Sequence, residues 1–224
     1  RAAMMQLNWL HQTGHASLEM AKLFVRMFAL PTYQDARSWP AAQRAIAERC
    51  LPVLPGFLFL SSLLSLVIIR IVTVTAQSYG LSEFALEVLV RTLVLELLPL
   101  YSAILVALRI SLPDRTNHTD IAQAWAGLLA SLLFTGLASL LAATLAYLMV
   151  YGLSPWGLAS YIGAIGKIFT PAMSFIFLLK TLAFSLAVAL LPAGLAKANE
   201  LQAFTRLIAL LLLVEVVSLV GHYA

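Results

Sequence analysis

Residues 121–166 contain no Asp, Glu, Lys or Arg. A membrane-crossing helix takes about 20 residues, so this stretch is too long for one span and too short for two with a loop. Strands of a membrane barrel alternate apolar and polar residues over about 10 positions, whereas the apolar runs here are continuous, which is a helical signal. Composition agrees: 62% of the 224 residues are hydrophobic and 11% charged. Soluble domains average about 45–50% apolar and about 25% charged, and a domain this small cannot hide such an excess. Disordered chains are poor in apolar residues, so disorder is excluded as well. The expected fold class is all-α, a polytopic membrane protein.

Apolar runs place about five spans, at 51–76, 84–108, 124–150, 168–191 and 204–222. Pro52 and Pro55 sit at the start of the first, where proline is tolerated, and Pro192 and Gly194 end the fourth. A turn at Gly152, Ser154 and Pro155 follows the third span, and a short interfacial or re-entrant piece then runs through Trp156 and Tyr161. Residues 1–50 form an N-terminal interfacial segment, and residues 51–224 the transmembrane domain. In the former, Leu18, Leu23, Phe24, Val25, Met27, Phe28 and Leu30 mix with Lys22 and Arg26 up to Pro31. That pattern predicts an amphipathic helix lying in the membrane interface; a soluble helix packed on a partner is the alternative. A second short helix, 40–50, leads into the first span. No cleavable signal peptide is expected, because no clean apolar core precedes a small-residue cleavage site.

Basic residues set the orientation. The N-terminal segment, the 109–120 loop with Arg109 and Arg115, and the 192–206 loop with Lys197 and Arg206 carry Lys or Arg, while 77–83 and 152–166 carry none. This predicts a cytoplasmic N-terminus and a C-terminus outside. The net charge of +4 is scattered, so nucleic acid is not an expected partner. Cys50 is the single cysteine and cannot form an intrachain disulfide.

Six ionisable residues fall within the spans: Arg70, Glu87, Arg91, Glu96, Lys180 and Glu215. A charge at the bilayer centre costs about 2.5–3.5 kcal/mol on insertion scales, so such residues pair or face a polar cavity. Glu87 and Arg91, four apart with the acid first, read as a helix-surface pair near the headgroups. Lys180 lies about 11 residues before the end of the fourth span and Glu215 about 11 after the start of the fifth, so antiparallel neighbours would match their depths. They read as an intramembrane ion pair, with a proton or ion relay as the alternative. Arg70, about six residues from the end of its span, is expected at a cavity or subunit interface rather than against lipid tails. His11 and His15 have helical spacing, but two ligands do not make a metal site. No phosphate-cradling glycine loop, nucleophile elbow or zinc-protease motif occurs, so neither an enzyme nor a cofactor is expected.

Three segments together resemble the MlaE permease family, the membrane subunits of ABC transporters that work with MCE proteins to move lipids. The first is Val94, Leu95, Glu96, Leu97, Leu98 and Pro99, followed by an apolar stretch ending in Arg109. The second is Leu179, Lys180, Thr181, Leu182, Ala183 and Phe184, similar to the family's lysine-bearing fourth span. The third runs from Thr205 and Arg206 to Glu215, an acidic position of the last span. The resemblance implies a permease-type subunit of a phospholipid transport system in the bacterial inner membrane. It further implies a homo- or heterodimeric permease partner, membrane lipids, an MCE protein and an ATPase subunit. Lipid-path candidates are then Arg70, Glu96 and Arg109, with Arg70 able to hold a lipid phosphate; Glu83 is an alternative partner for it.

Two departures stand out. Leu95 and Leu98 occupy places where the family has Arg and Gly. The family also has a long segment after its signature Arg, containing the helix that docks on the ATPase. Here only a short segment with Pro113, Asp114, Arg115 and Asp120 separates Arg109 from the next apolar run. The alternative reading is therefore a permease-like structural subunit without ATPase coupling; an ion-coupled transporter is a further rival.

Overall fold

The computed structural model of the chain describes residues 17–29, 38–111, 121–194 and 200–223. All of its regular structure is helical. Helix α1 covers 17–28. Helix α2 (Ser38–Ala45) continues through a π turn (Ile46–Cys50) and a 3-10 turn (Leu51–Val53) into α3 (Leu54–Ser78). The short helix expected at 40–50 and the first span thus form one helical run, Trp39–Ser78. Pro52 falls in the 3-10 turn and Pro55 in the first turn of α3, where a backbone N–H has no helical partner to lose.

The second apolar helix changes its winding along its length. It begins as α4 (Ser82–Leu89), widens into a π segment (Val90–Leu97), returns to α5 (Leu98–Val106) and ends in a π turn (Ala107–Ser111). Pro99 provides the physical reason: it cannot donate a helical hydrogen bond, and the wide segment just before it absorbs the misfit. After it come α6 (Ile121–Tyr151), α7 (Gly157–Ile168), α8 (Pro171–Gly194) and α9 (Glu200–Tyr223). Among the described residues, four runs are long and apolar enough to cross a membrane: Trp39–Ser78, Phe84–Ile110, Ile121–Tyr151 and Pro171–Leu191. Helix α9 contains the 204–222 stretch; its 24 residues extend about 36 Å at 1.5 Å each.

Two boundaries differ from expectation. The helix after the third span's turn occupies residues through Ile168, so the fourth span begins at Pro171. It also reads through Pro192 to Gly194. A proline in the last turn disrupts little, because few helical bonds remain beyond it.

Helix α6 is the centre of the bundle, packing against α8, α3, α2 and α5. Its sequence explains this role. Ala122, Ala126, Ala130, Ala138, Ala142 and Ala146 are all buried and recur at multiples of four residues, a ridge of small side chains that winds slowly around the helix and meets successive neighbours. Small side chains let helix backbones approach, which is how helices associate without a hydrophobic driving force in lipid. At Gly127 a Cβ would lie 3.5 Å from the Ala189 Cα, so α6 and α8 nearly touch there. Polar groups add ties: Ser102 of α5 meets Thr135 of α6, and the Gln123 amide donates to the Ile110 carbonyl at 2.8 Å, satisfying the end of the second helix.

Helix α1 packs Leu23 and Met27 against Ala124, Leu128 and Ala189, and leaves Leu18, Phe24, Val25 and Phe28 exposed. Pro31, His11 and His15 lie outside the described residues. At the far end of the bundle, Gly80 and Gly152 adopt φ of 70° and 68°. Each follows a long apolar helix and turns the chain in the left-handed conformation that glycine adopts without strain.

Candidate functional site

Lys180 is the most deeply enclosed charge among the described residues, with its side chain 3% exposed. It projects from the face of α8 that also buries Thr181, Phe184, Ser185 and Val188, so the helix's packing carries the ammonium inward. Its Nζ donates to Glu96 Oε2, from the π segment of the second helix. It also donates to Glu215 Oε1 of α9 at 2.9 Å, with Oε2 equally near. The ring of Phe184, one turn along α8, lies 5.8 Å from the same nitrogen. One ammonium therefore joins three helices: α8, the α9 that follows it, and the second apolar helix.

The surroundings are asymmetric. Glu96 and Glu215 keep 37% and 21% of their side-chain surface, so the lysine is closed in while the carboxylates form the open side. Helix α9 packs on α8 and sparsely on α5, so this cluster is a principal polar tie between it and the bundle.

The other expected residues lie apart from this cluster. Glu87 and Arg91 pair at 2.8 Å, about two-fifths exposed, on one side of the second helix. Arg70 is exposed, on the same face of α3 as Phe59, Leu63, Val67, Ile71 and Val74. Among the described residues no carboxylate pairs with it; the Glu83 side chain is not among them. Arg109 is exposed in the π turn Ala107–Ser111, which packs on the π turn ending at Cys50. Arg70, Glu96 and Arg109 are thus not brought together; they occupy three levels of the bundle. From the sequence, Lys180 pairs with Glu215, and Glu96 joins them only in the ion-coupled rival and otherwise belongs to the lipid path; the structure puts it in the lysine cluster. Its depth offered a signal, since it too sits mid-span, but its direction depends on the π winding around it. Among the described residues no group of three His, Cys, Asp or Glu is arranged to hold a metal.

Fold and site together define a polytopic, all-helical membrane protein built around a buried lysine shared by two carboxylates. Residues 43–113, about a third of the chain, match the family model described as Permease MlaE. The match spans the first apolar helix, Glu96, Pro99 and Arg109, so this part of the chain is similar to an MlaE-type permease. No curated protein and no solved structure matches the chain significantly.

Proposed function

We propose that this chain is the permease subunit of an ABC system that moves phospholipids in partnership with an MCE protein, in the bacterial inner membrane. A lipid path would run along an interface with a second permease chain, either another copy or a related subunit. The observation that carries this reading is the uncovered face of α3, within the segment that matches the permease family. Helix α3 belongs to the least buried of the four apolar runs, and its open stripe bears Arg70 about 12 Å from the helix end. A guanidinium at that depth gains from a lipid phosphate or a partner subunit, either of which spares it from facing acyl chains alone. The lysine cluster then acts as the mid-membrane joint that holds α9 and the second helix in register. The N-terminal segment lies on the cytoplasmic side, with α1 at the interface.

Purification in mild detergent tests the proposal. An ATPase and an MCE protein should accompany the chain, and Arg70→Gln should lower the anionic lipid that copurifies. Recovery of other membrane subunits alone, with lipid unchanged in the variant, would refute it.

A second reading has its own observation. The second helix runs to Ser111 and α6 starts at Ile121, leaving only 112–120 between them. Stable interfaces bury about 1,200–2,000 Å², more than so short a segment supplies as a rigid docking element. We infer that this chain alone does not hold an ATPase tightly, and that any ATPase contacts a second permease chain or the N-terminal segment. A pairwise pull-down decides: a stoichiometric complex abolished by changes at Asp114 and Asp120 would restore ordinary coupling.

A further inference from the structure

Helix α7 and the turn before it are fixed to the bundle yet present apolar side chains outward. Tyr161 of α7 donates its hydroxyl to the Ala143 carbonyl of α6 at 2.6 Å, and Tyr147 of α6 donates to the Ser154 carbonyl at 2.5 Å. The Tyr161 ring lies 5.3 and 5.9 Å from those of Tyr147 and Tyr151. A Cβ at Gly157 would lie 3.0 Å from Tyr151, so the turn is drawn tightly onto the α6 terminus. On its far side α7 packs against α4, the helix that carries Glu87. The element's position is therefore set by the bundle, not by the loop.

No described residue covers its outer surface. Leu153 and Trp156 are 89% and 88% exposed, Leu158 and Ile162 are also open, and the neighbouring turn adds Tyr79 at 76% with Leu81 and Phe84. No charge occurs in 152–166; Lys167, exposed, stands in the last turn of α7. Twelve residues extend about 18 Å, too short to cross a hydrocarbon core of about 30 Å. The open apolar surface is continuous with those of the flanking spans, through Val74 of α3 and Leu148, Met149 and Val150 of α6. Water would face an uncharged aromatic ledge at the end of two membrane-length helices. Trp and Tyr favour the headgroup level, where one edge of the ring is apolar and the other wet.

We propose that α7 and the turns at 79–81 and 152–156 form an in-plane shelf in the membrane interface. Trp156 and Tyr79 rest at the headgroup level, and Leu153, Leu158 and Ile162 in the upper acyl region. The occupant of this surface is the lipid leaflet itself. The shelf sets the depth of the bundle at this end and, through α4, holds the Glu87–Arg91 pair among headgroups. This inference stands apart from the transport reading.

The test uses the full chain in phosphatidylcholine vesicles, with Trp9, Trp39 and Trp125 replaced by Phe so that Trp156 alone reports. Lipids brominated near the glycerol end should quench it about twofold more than lipids brominated near the chain terminus, with little quenching by aqueous iodide. Strong iodide quenching, or protection from both quenchers, would overturn the proposal, the first indicating water and the second a protein cover. A second variant guards against misfolding of the first: Cys50→Ser with Leu158→Cys, carrying a nitroxide. Greater accessibility to oxygen than to an aqueous nickel chelate supports the shelf; the reverse overturns it.

Discussion

Arg70 and Lys180 are both single cations in long apolar helices, and the fold treats them in opposite ways. Lys180 is enclosed, with two carboxylates and an aromatic ring around its ammonium. Arg70 stands on an open stripe of large aliphatic and aromatic side chains. The difference follows from the helices that carry them. Both runs are of similar apolarity, with mean hydropathy of 2.4 and 2.2 over an 18-residue window of each, yet only 22% of that window is buried in Trp39–Ser78 against 44% in Pro171–Leu191. Helix α8 packs against α6, approaching it closely at Gly127, and Lys180 lies on the buried face of α8. Helix α3 turns Phe59, Leu63 and Val67 outward, where no described residue covers them. Hydropathy places both helices in the membrane; side-chain size and the position of carboxylates decide which cation is sealed in.

The largest effect should come from opening the enclosed site. Lys180→Met leaves two carboxylates facing each other without a counter-charge and should destabilise the folded protein by about 3 kcal/mol. Adding Glu96→Gln and Glu215→Gln to that variant should restore most of the loss, as read by denaturant unfolding in detergent. Equal destabilisation in the single and triple variants would mean that the charges are not coupled.

The close contact between α6 and α8 should be the next most sensitive. Gly127→Leu must push α6 from α8 and should cost about 1–3 kcal/mol. Gly127→Ala should be nearly neutral, because its Cβ meets neighbours at ordinary contact distance, 3.5 Å. If alanine proves as harmful as leucine in thermal unfolding, the packing argument fails.

For the open cation, the contrast predicts a small stability effect and a large binding effect. Arg70→Gln should change unfolding by less than about 1 kcal/mol, since no described carboxylate depends on it. Its signature should be reduced phospholipid or partner recovery. Destabilisation matching Lys180→Met would erase the distinction between the two sites.

The smallest effect belongs to the half-exposed pair. Arg91→Gln removes an i,i+4 contact worth about 0.2–0.5 kcal/mol and should barely move the melting temperature.

The sequence by itself determined that the chain is a bundle of membrane-length helices. Continuous apolar runs have no other stable home, and prolines and glycines mark most of their ends. It also narrowed the ionisable residues of interest to six, because every intramembrane charge must find a partner or a polar surface. Matched depth was enough to associate Lys180 with Glu215, since depth along a helix is linear in residue number. Direction around a helix is not so simply read where the winding changes. The π segment before Pro99 turns Glu96 toward Lys180, and a regular helical wheel does not register that rotation. Likewise, hydropathy cannot tell α3 from α8, because lipid and a packed helix face offer apolar side chains the same environment. Which face is sealed and which stays open depends on how two helices pack together, which only the tertiary structure decided.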